Sequence, residues 1–191
     1  GFQNIAINIP IERDMGAIKR LRGTPLPITS YFIGKAISVF ASMVVQVLIL
    51  LAIGIAFFGL NLPTEPSKWI TFTWLLILGT ASSTALGVAF SSVPKNGRGA
   101  SAIVSPVVII LQFFSGVFFV FTQLPGWMQQ VAAVFPLKWL TQGMRSVFLP
   151  DTFAAQEVAA SWEGGRTALI LFIWLIVGLF FAVKTFRWEN K

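Results

Sequence analysis

The sequence predicts an all-α fold, a polytopic bundle of membrane-spanning helices in a single transmembrane domain over 1–191. Three observations carry that prediction. The 191 residues are 55% hydrophobic and 11% charged, where a soluble domain has about 25% charged residues. Mean hydropathy is +0.79, and with 19 Phe and 7 Trp the bulk of the chain must be solvated by lipid. Four segments, near 33–60, 70–92, 102–122 and 167–186, are long and apolar enough to cross a bilayer, which takes about 20 helical residues.

The chain opens Gly-Phe-Gln with neither an initiator Met nor a signal-peptide layout, which predicts that it begins partway through a larger protein. Next comes "IERDMGAIKRLRGTPLP", from Ile11 to Pro27, which concentrates six charged side chains. Ile11, Met15, Ile18 and Leu21 recur at intervals of four and three, predicting one apolar face of a helix over 11–24. Glu12 and Asp14 come early and Lys19, Arg20 and Arg22 late, an order that complements the helix dipole. Gly23, Pro25 and Pro27 end the helix.

The first full span shows how strong the insertion signal is. Between Ser38 and Phe58 lie 13 residues of the Leu, Ile, Val and Phe type, which together favour insertion by about 4 to 8 kcal/mol. The second span carries Gly79, Ser83, Gly87 and Ser91 at spacing four, a small-residue face that lets two helices approach closely. Gln46 and Gln112 fall near mid-membrane and either hydrogen-bond between helices or line a polar spot in a substrate path. The cluster Phe113, Phe114, Phe118, Phe119 and Phe121 faces lipid or core, or contributes to that path.

The stretch 124–148 fails as a span. Its eight strongly apolar residues contribute about −2.4 to −4.8 kcal/mol, which Lys138 offsets by about 2.5 to 3.5. Pro136 adds helix disruption of roughly 3 kcal/mol. Pro125, Pro136 and Pro150 instead predict two short helices in an external segment over 123–166. This is an interfacial or re-entrant hairpin with Trp127 and Trp139 as interface anchors.

Four spans put both ends on one side. Arg13, Lys19, Arg20, Arg22, Lys35, Lys95, Arg98, Lys184, Arg187 and Lys191 fall on that side, and Lys68, Lys138, Arg145 and Arg166 on the other. The positive-inside rule therefore predicts cytoplasmic ends. Read this way, the net charge of +7 reflects membrane topology rather than nucleic-acid binding.

Much chemistry is missing from the sequence. There is no Cys and no His, which removes thiolate nucleophiles, imidazole bases and nearly all zinc chemistry. No catalytic set and no metal cluster is visible. No Asp, Glu, Arg or His lies mid-span, so a proton relay or voltage sensor is disfavoured. Gly34-Lys35-Ala36 lacks the rest of a phosphate-binding loop. If this chain moves something uphill, the energy enters from another polypeptide or from sequence outside this chain.

"ERDMGAIKRLRGTPLP" resembles the signature that follows the second span of the type-2 ABC exporter permeases, the membrane subunits related to drug- and antibiotic-resistance exporters. "FFSGVFFVFTQLPGWMQQVAAVFPLKWLTQGMR", Phe113 to Arg145, is similar to that family's fifth span and external hairpin. "FRWENK" resembles its cytoplasmic tail. The resemblance implies six spans per subunit, of which these four are the third to sixth and residues 1–10 the end of the preceding, second span. It implies a multidrug-type exporter in the bacterial inner membrane, made of two permease subunits, identical or not, with two copies of an ABC ATPase that bind the ATP and Mg. It further implies that Glu12, Arg13, Asp14, Met15, Gly16, Lys19, Arg20 and Arg22 form a coupling helix seated on the ATPase. An amphiphilic substrate would pass Gln46, Gln112, Phe113, Phe114 and Phe118 beneath an outer lid of Trp127, Phe135 and Trp139. The rival readings are a non-transporting membrane scaffold or assembly subunit and a secondary carrier.

Overall fold

The computed structural model describes residues 1–25 and 27–185, apart from the side chains at 22 and 28. The closing stretch "FRWENK", with Arg187 and Lys191 of the charge count, lies outside the described residues. Eight α-helices occupy most of the described chain: α1 (Phe2–Asp14), α2 (Ala17–Arg22), α3 (Ile28–Phe58), α4 (Pro66–Phe90), α5 (Gly97–Phe114), α6 (Gly126–Val134), α7 (Pro136–Phe148) and α8 (Gly164–Thr185). Helices α3, α4, α5 and α8 are long and apolar enough to cross a membrane. The chain is a multi-pass membrane protein with an all-helical fold.

Local chemistry sets the ends of the spans. Helix α3 stops where Gly59 turns left-handed at φ 62°, and the Leu60 N–H returns to the Gly54 carbonyl at 3.0 Å. Helix α4 opens on Pro66, whose missing N–H is no loss in a first turn. Helix α5 ends at Phe114, well before the expected 122. Gly116 takes φ 78° there, a conformation that ends helices and strongly favours glycine. The chain then runs through a 3-10 turn at Phe121–Gln123.

The expected division by proline is present. Helices α6 and α7 meet at Phe135, which is extended (φ −89°, ψ 147°) ahead of Pro136, as the residue before a proline prefers. At nine and 13 residues, neither is long enough to span a bilayer. The expected single helix over 11–24 is not present. Helix α1 runs unbroken through Pro10 to Asp14. The chain turns at Met15 and Gly16, with Gly16 at φ 71°, before α2 begins. A left-handed residue cannot continue a right-handed helix. The stripe Ile11, Met15, Ile18 and Leu21 is therefore not one face: Ile18 is fully buried and Met15 is 63% exposed.

The described chain divides into two compact units, and each long helix contributes to both. One comprises Gly1–Val47, Thr80–Val107 and the chain from Trp174. Its core is Ile5, Ile9, Ile18, Val39, Val88 and Ala182, with Tyr31 and Phe32 packed against them. Helix α1 lies close on α4, where a Cβ at Gly87 would stand 2.8 Å from the Phe2 carbonyl oxygen. Helix α8 crosses α4 as closely, a Cβ at Gly178 meeting Ala85 and Leu86 at 2.9 Å.

The other unit comprises Leu48–Gly79 and Val108–Ile173. Here α7 packs on α4: a Cβ at Gly143 would lie 2.6 Å from Leu75, and Gly79 faces Leu140. Leu75 and Leu171 are fully buried, and the Phe72 and Phe148 rings meet edge-on at 5.5 Å.

Candidate functional site

The end of α1 holds three of the charges that the family resemblance assigns to coupling, Glu12, Arg13 and Asp14, and each bonds elsewhere in the chain. The Tyr31 hydroxyl donates to Glu12 Oε2 at 2.8 Å, and the Lys35 ammonium pairs with Glu12 Oε1. One residue on, the Arg13 guanidinium donates to the Ser91 carbonyl at 3.5 Å. Asp14 Oδ2 accepts the Gly97 N–H at 2.6 Å. Successive helical residues point about 100° apart. Three in a row therefore reach three neighbours: the start of α3, the turn closing α4, and the first residue of α5.

The Asp14 contact satisfies an N–H that the helix itself cannot, and it sets a carboxylate at the positive end of α5. Asp14→Ala is expected to cost about 1 kcal/mol locally, roughly fivefold in the opening equilibrium. Faster amide exchange confined to the first turn of α5 is the readout. Asp14→Asn, which keeps an acceptor, should lose less.

Beyond the turn the arrangement reverses. Met15, Lys19 and Arg20 are exposed, Gly16 forms the turn with open space where a Cβ would be, and the side chain of Arg22 is outside the described residues. The eight expected coupling residues thus split into a set that bonds within the chain (12–14, of which Asp14 remains exposed) and an outward set (15, 19, 20) around Gly16. The acidic pair Glu12 and Asp14 argues, on sequence, for a partner carrying both signs of charge. Both carboxylates find partners within the chain instead, and the outward face is basic and apolar.

The small-residue series on α4 is placed as follows. Gly79 faces Leu140, Gly87 faces Phe2 and Ile5, and Ser83 is half-buried beside Gly1. Ser91 is buried, and its hydroxyl donates to the Val88 carbonyl at 2.6 Å. Of the expected path residues, Gln46 is exposed on α3 and Gln112 half-buried on α5. The Phe113 ring lies 5.1 Å from Phe118, and Phe114 meets Trp127 at 6.4 Å.

The three lid residues do not share one environment. Trp127 is exposed and Phe135 half-buried. Trp139, expected as an interface anchor, is 3% exposed. Its indole N–H donates to the Ala133 carbonyl at 2.7 Å. Its ring carries the Lys138 ammonium at 3.6 Å and the Arg166 guanidinium at 5.9 Å. Lys138, which tells against a span at the level of sequence, is itself buried and donates to Gln142 Oε1. Gln142 in turn donates to the Ser161 and Trp162 carbonyls at 3.3 and 3.2 Å. Burial pulls the Lys138 ammonium below the usual lysine range, with Glu163 and Glu157 acting the other way.

A buried polar network around α7 thus escapes a reading based on proline spacing and hydropathy. The available signal was a Lys and a Gln four residues apart, which share a helix face. Arg145 extends the network, pairing with Glu157 at 2.7 Å. Nearby, Lys68 donates to the Leu149 carbonyl at 3.3 Å and pairs with Asp151 at 3.4 Å, beside a cavity of about 500 Å³.

Residues 1–184 match the family model described as ABC-2 family transporter protein. The chain is similar to a protein named probable multidrug ABC transporter permease YbhR of Escherichia coli (strain K12). The two are 25% identical over 150 residues, 76% of this chain and 39% of that protein. It is also similar to the putative transport permease ycf38 of Porphyra purpurea, 25% identical over 180 residues, 91% of this chain and 61% of that protein. The chain spans about two to three fifths of the length of these curated relatives. No solved structure matches it.

Proposed function

The chain belongs to the ABC-2 transporter family, and on that premise we propose that it is the membrane permease part of an ATP-driven exporter. The end bearing α1 and α2 faces the bacterial cytoplasm, following the distribution of Lys and Arg. Two copies of a partner ATPase bind the ATP and Mg, and a second permease subunit completes the pathway for an amphiphilic substrate. What supports this reading is the joint at Gly16: an outward set, Met15, Lys19 and Arg20, lies one turn from residues 12–14, which bond to α3, to the turn closing α4 and to the start of α5.

A partner seated on α2 would therefore be mechanically connected to three spans. ATP-driven closure of the ATPase pair pushes α2, and the end of α1 carries the displacement to those helices. The bias toward outward release comes from ATP contacts on the partner, since a ligand shifts an equilibrium only by its differential affinity for the two states. With both carboxylates bound internally, the outward face also suits anionic headgroups, and one experiment separates the two occupants.

In the intact transporter, Lys19→Glu/Arg20→Glu is expected to lower co-purified ATPase at least tenfold, about 1.4 kcal/mol, with thermal stability unchanged. Undiminished ATPase together with lost binding to anionic liposomes would make α2 a membrane-surface helix. No change in either would remove α2 from both roles.

A further inference from the structure

We propose that the cavity bounded by α6, α7 and the start of α8 binds the anionic headgroup of an amphiphile, with its phosphate or carboxylate on Lys138. The cavity has a volume of about 490 Å³, and its walls include Lys138, Trp139, Glu163, Arg166 and Ile170. This site goes beyond the transport reading and does not rest on it.

Lys138 is the starting point. It is 4% exposed, and its ammonium donates one hydrogen bond, to Gln142 Oε1, out of the three it can make. None of the described carboxylates pairs with it. Removing an ammonium from water is costly even after the surroundings relax. The Trp139 ring at 3.6 Å and the Phe121 ring at 5.3 Å return only part of that cost. An anion in the cavity supplies the missing compensation and takes the remaining N–H donors.

The rest of the wall narrows the ligand class. Arg166 adds a second cation, and its guanidinium pairs with Glu163 at 2.6 Å, so two positive groups face one carboxylate and one positive charge is left over. Ala133, Val158, Ala159 and Ile170 are apolar, which suits a ligand with hydrocarbon next to its charge. Arg166 and Ile170 stand in the first two turns of α8, one of the helices long enough to span. A turn rises 5.4 Å, so the cavity sits at the end of a span, the depth at which headgroups meet hydrocarbon.

The test uses the intact protein in a neutral detergent, titrated with dioctanoyl phosphatidylglycerol, dioctanoyl phosphatidylcholine and inorganic phosphate, with binding read by native mass spectrometry. The anionic lipid is expected to bind at least tenfold tighter than either comparator. Lys138→Met should remove that preference, and Ala159→Trp, which fills an exposed edge of the cavity, should weaken the anionic lipid at least tenfold in a protein that keeps its buried network. Equal binding of the two lipids would overturn the proposal. So would a Lys138→Met protein, or a folded Ala159→Trp protein, that binds phosphatidylglycerol like the parent. Inorganic phosphate binding as tightly as the lipid would overturn the amphiphile assignment, because the apolar wall would then contribute nothing.

Discussion

Gly87→Leu is expected to separate α1 from α4 and to lower stability by about 3 kcal/mol or more, the upper end of what overpacking a well-filled interior costs. The obstacle is backbone. A Cβ at 87 would stand 2.8 Å from the Phe2 carbonyl oxygen and 2.9 Å from Ile5 Cβ, and a backbone carbonyl in the first turn of α1 cannot rotate away as a side chain can. Moving α1 outward uncovers Ile5 and Ile9, both fully buried. For a chain this long the loss corresponds to roughly 6 to 12 °C in midpoint, measured as the monodisperse fraction surviving a temperature series in detergent. Gly34→Leu is the control, since a Cβ there meets nothing within 4 Å and the residue is exposed on α3. Equal losses at 34 and 87 would mean that α1 does not pack on α4 in the membrane.

Glu12→Ala is expected to loosen the end of α1 from α3. It removes at one stroke the acceptor of the Tyr31 hydroxyl and the counter-charge of Lys35. The carboxylate and the ammonium are about a quarter exposed, at 26% and 22%. The cost lies between that of a surface pair and that of a buried one, at about 1 to 3 kcal/mol. Most of it comes from stranding Lys35, so Lys35→Met should recover much of the loss when added to Glu12→Ala. A double-mutant cycle on thermal stability measures this directly. Strict additivity of the two changes would show that the pair does not hold the end of α1 to α3. Under the exporter reading, Glu12→Ala also lowers ATP-driven transport while leaving the ATPase attached, because the outward set on α2 is untouched.

What the sequence discloses here is mostly what is local. The four long helices follow from runs of apolar residues, and the division at Pro136 follows from the ring constraint on one residue and its neighbour. The break at Gly16 stayed hidden because Ile11, Met15, Ile18 and Leu21 keep helical spacing across it. A periodic pattern records which positions are apolar and carries no sign of the φ that one glycine adopts. The same holds at Gly116, where an apolar run continues past the point at which α5 ends.

The ties at the end of α1 were out of reach for a different reason. Glu12 meets Tyr31 and Lys35 across 19 and 23 positions, and Asp14 meets Gly97 across 83. Spacing rules cover a turn or two of helix, so those carboxylates look like any other surface charge. Lys138 shows the converse. Hydropathy registers its cost in a span, but the Trp139 face and the Gln142 carbonyl that accommodate it belong to the packed α7.

The triple attachment of residues 12–14 has a mechanical consequence. In structural engineering terms the end of α1 is an over-determined joint, held by more members than equilibrium requires. Such a joint does not release when one member is cut. The load redistributes among the others, and the frame settles into a slightly different shape. Loss of one tie at this node is therefore expected to show first as lost stiffness between neighbouring helices, before the end of α1 detaches.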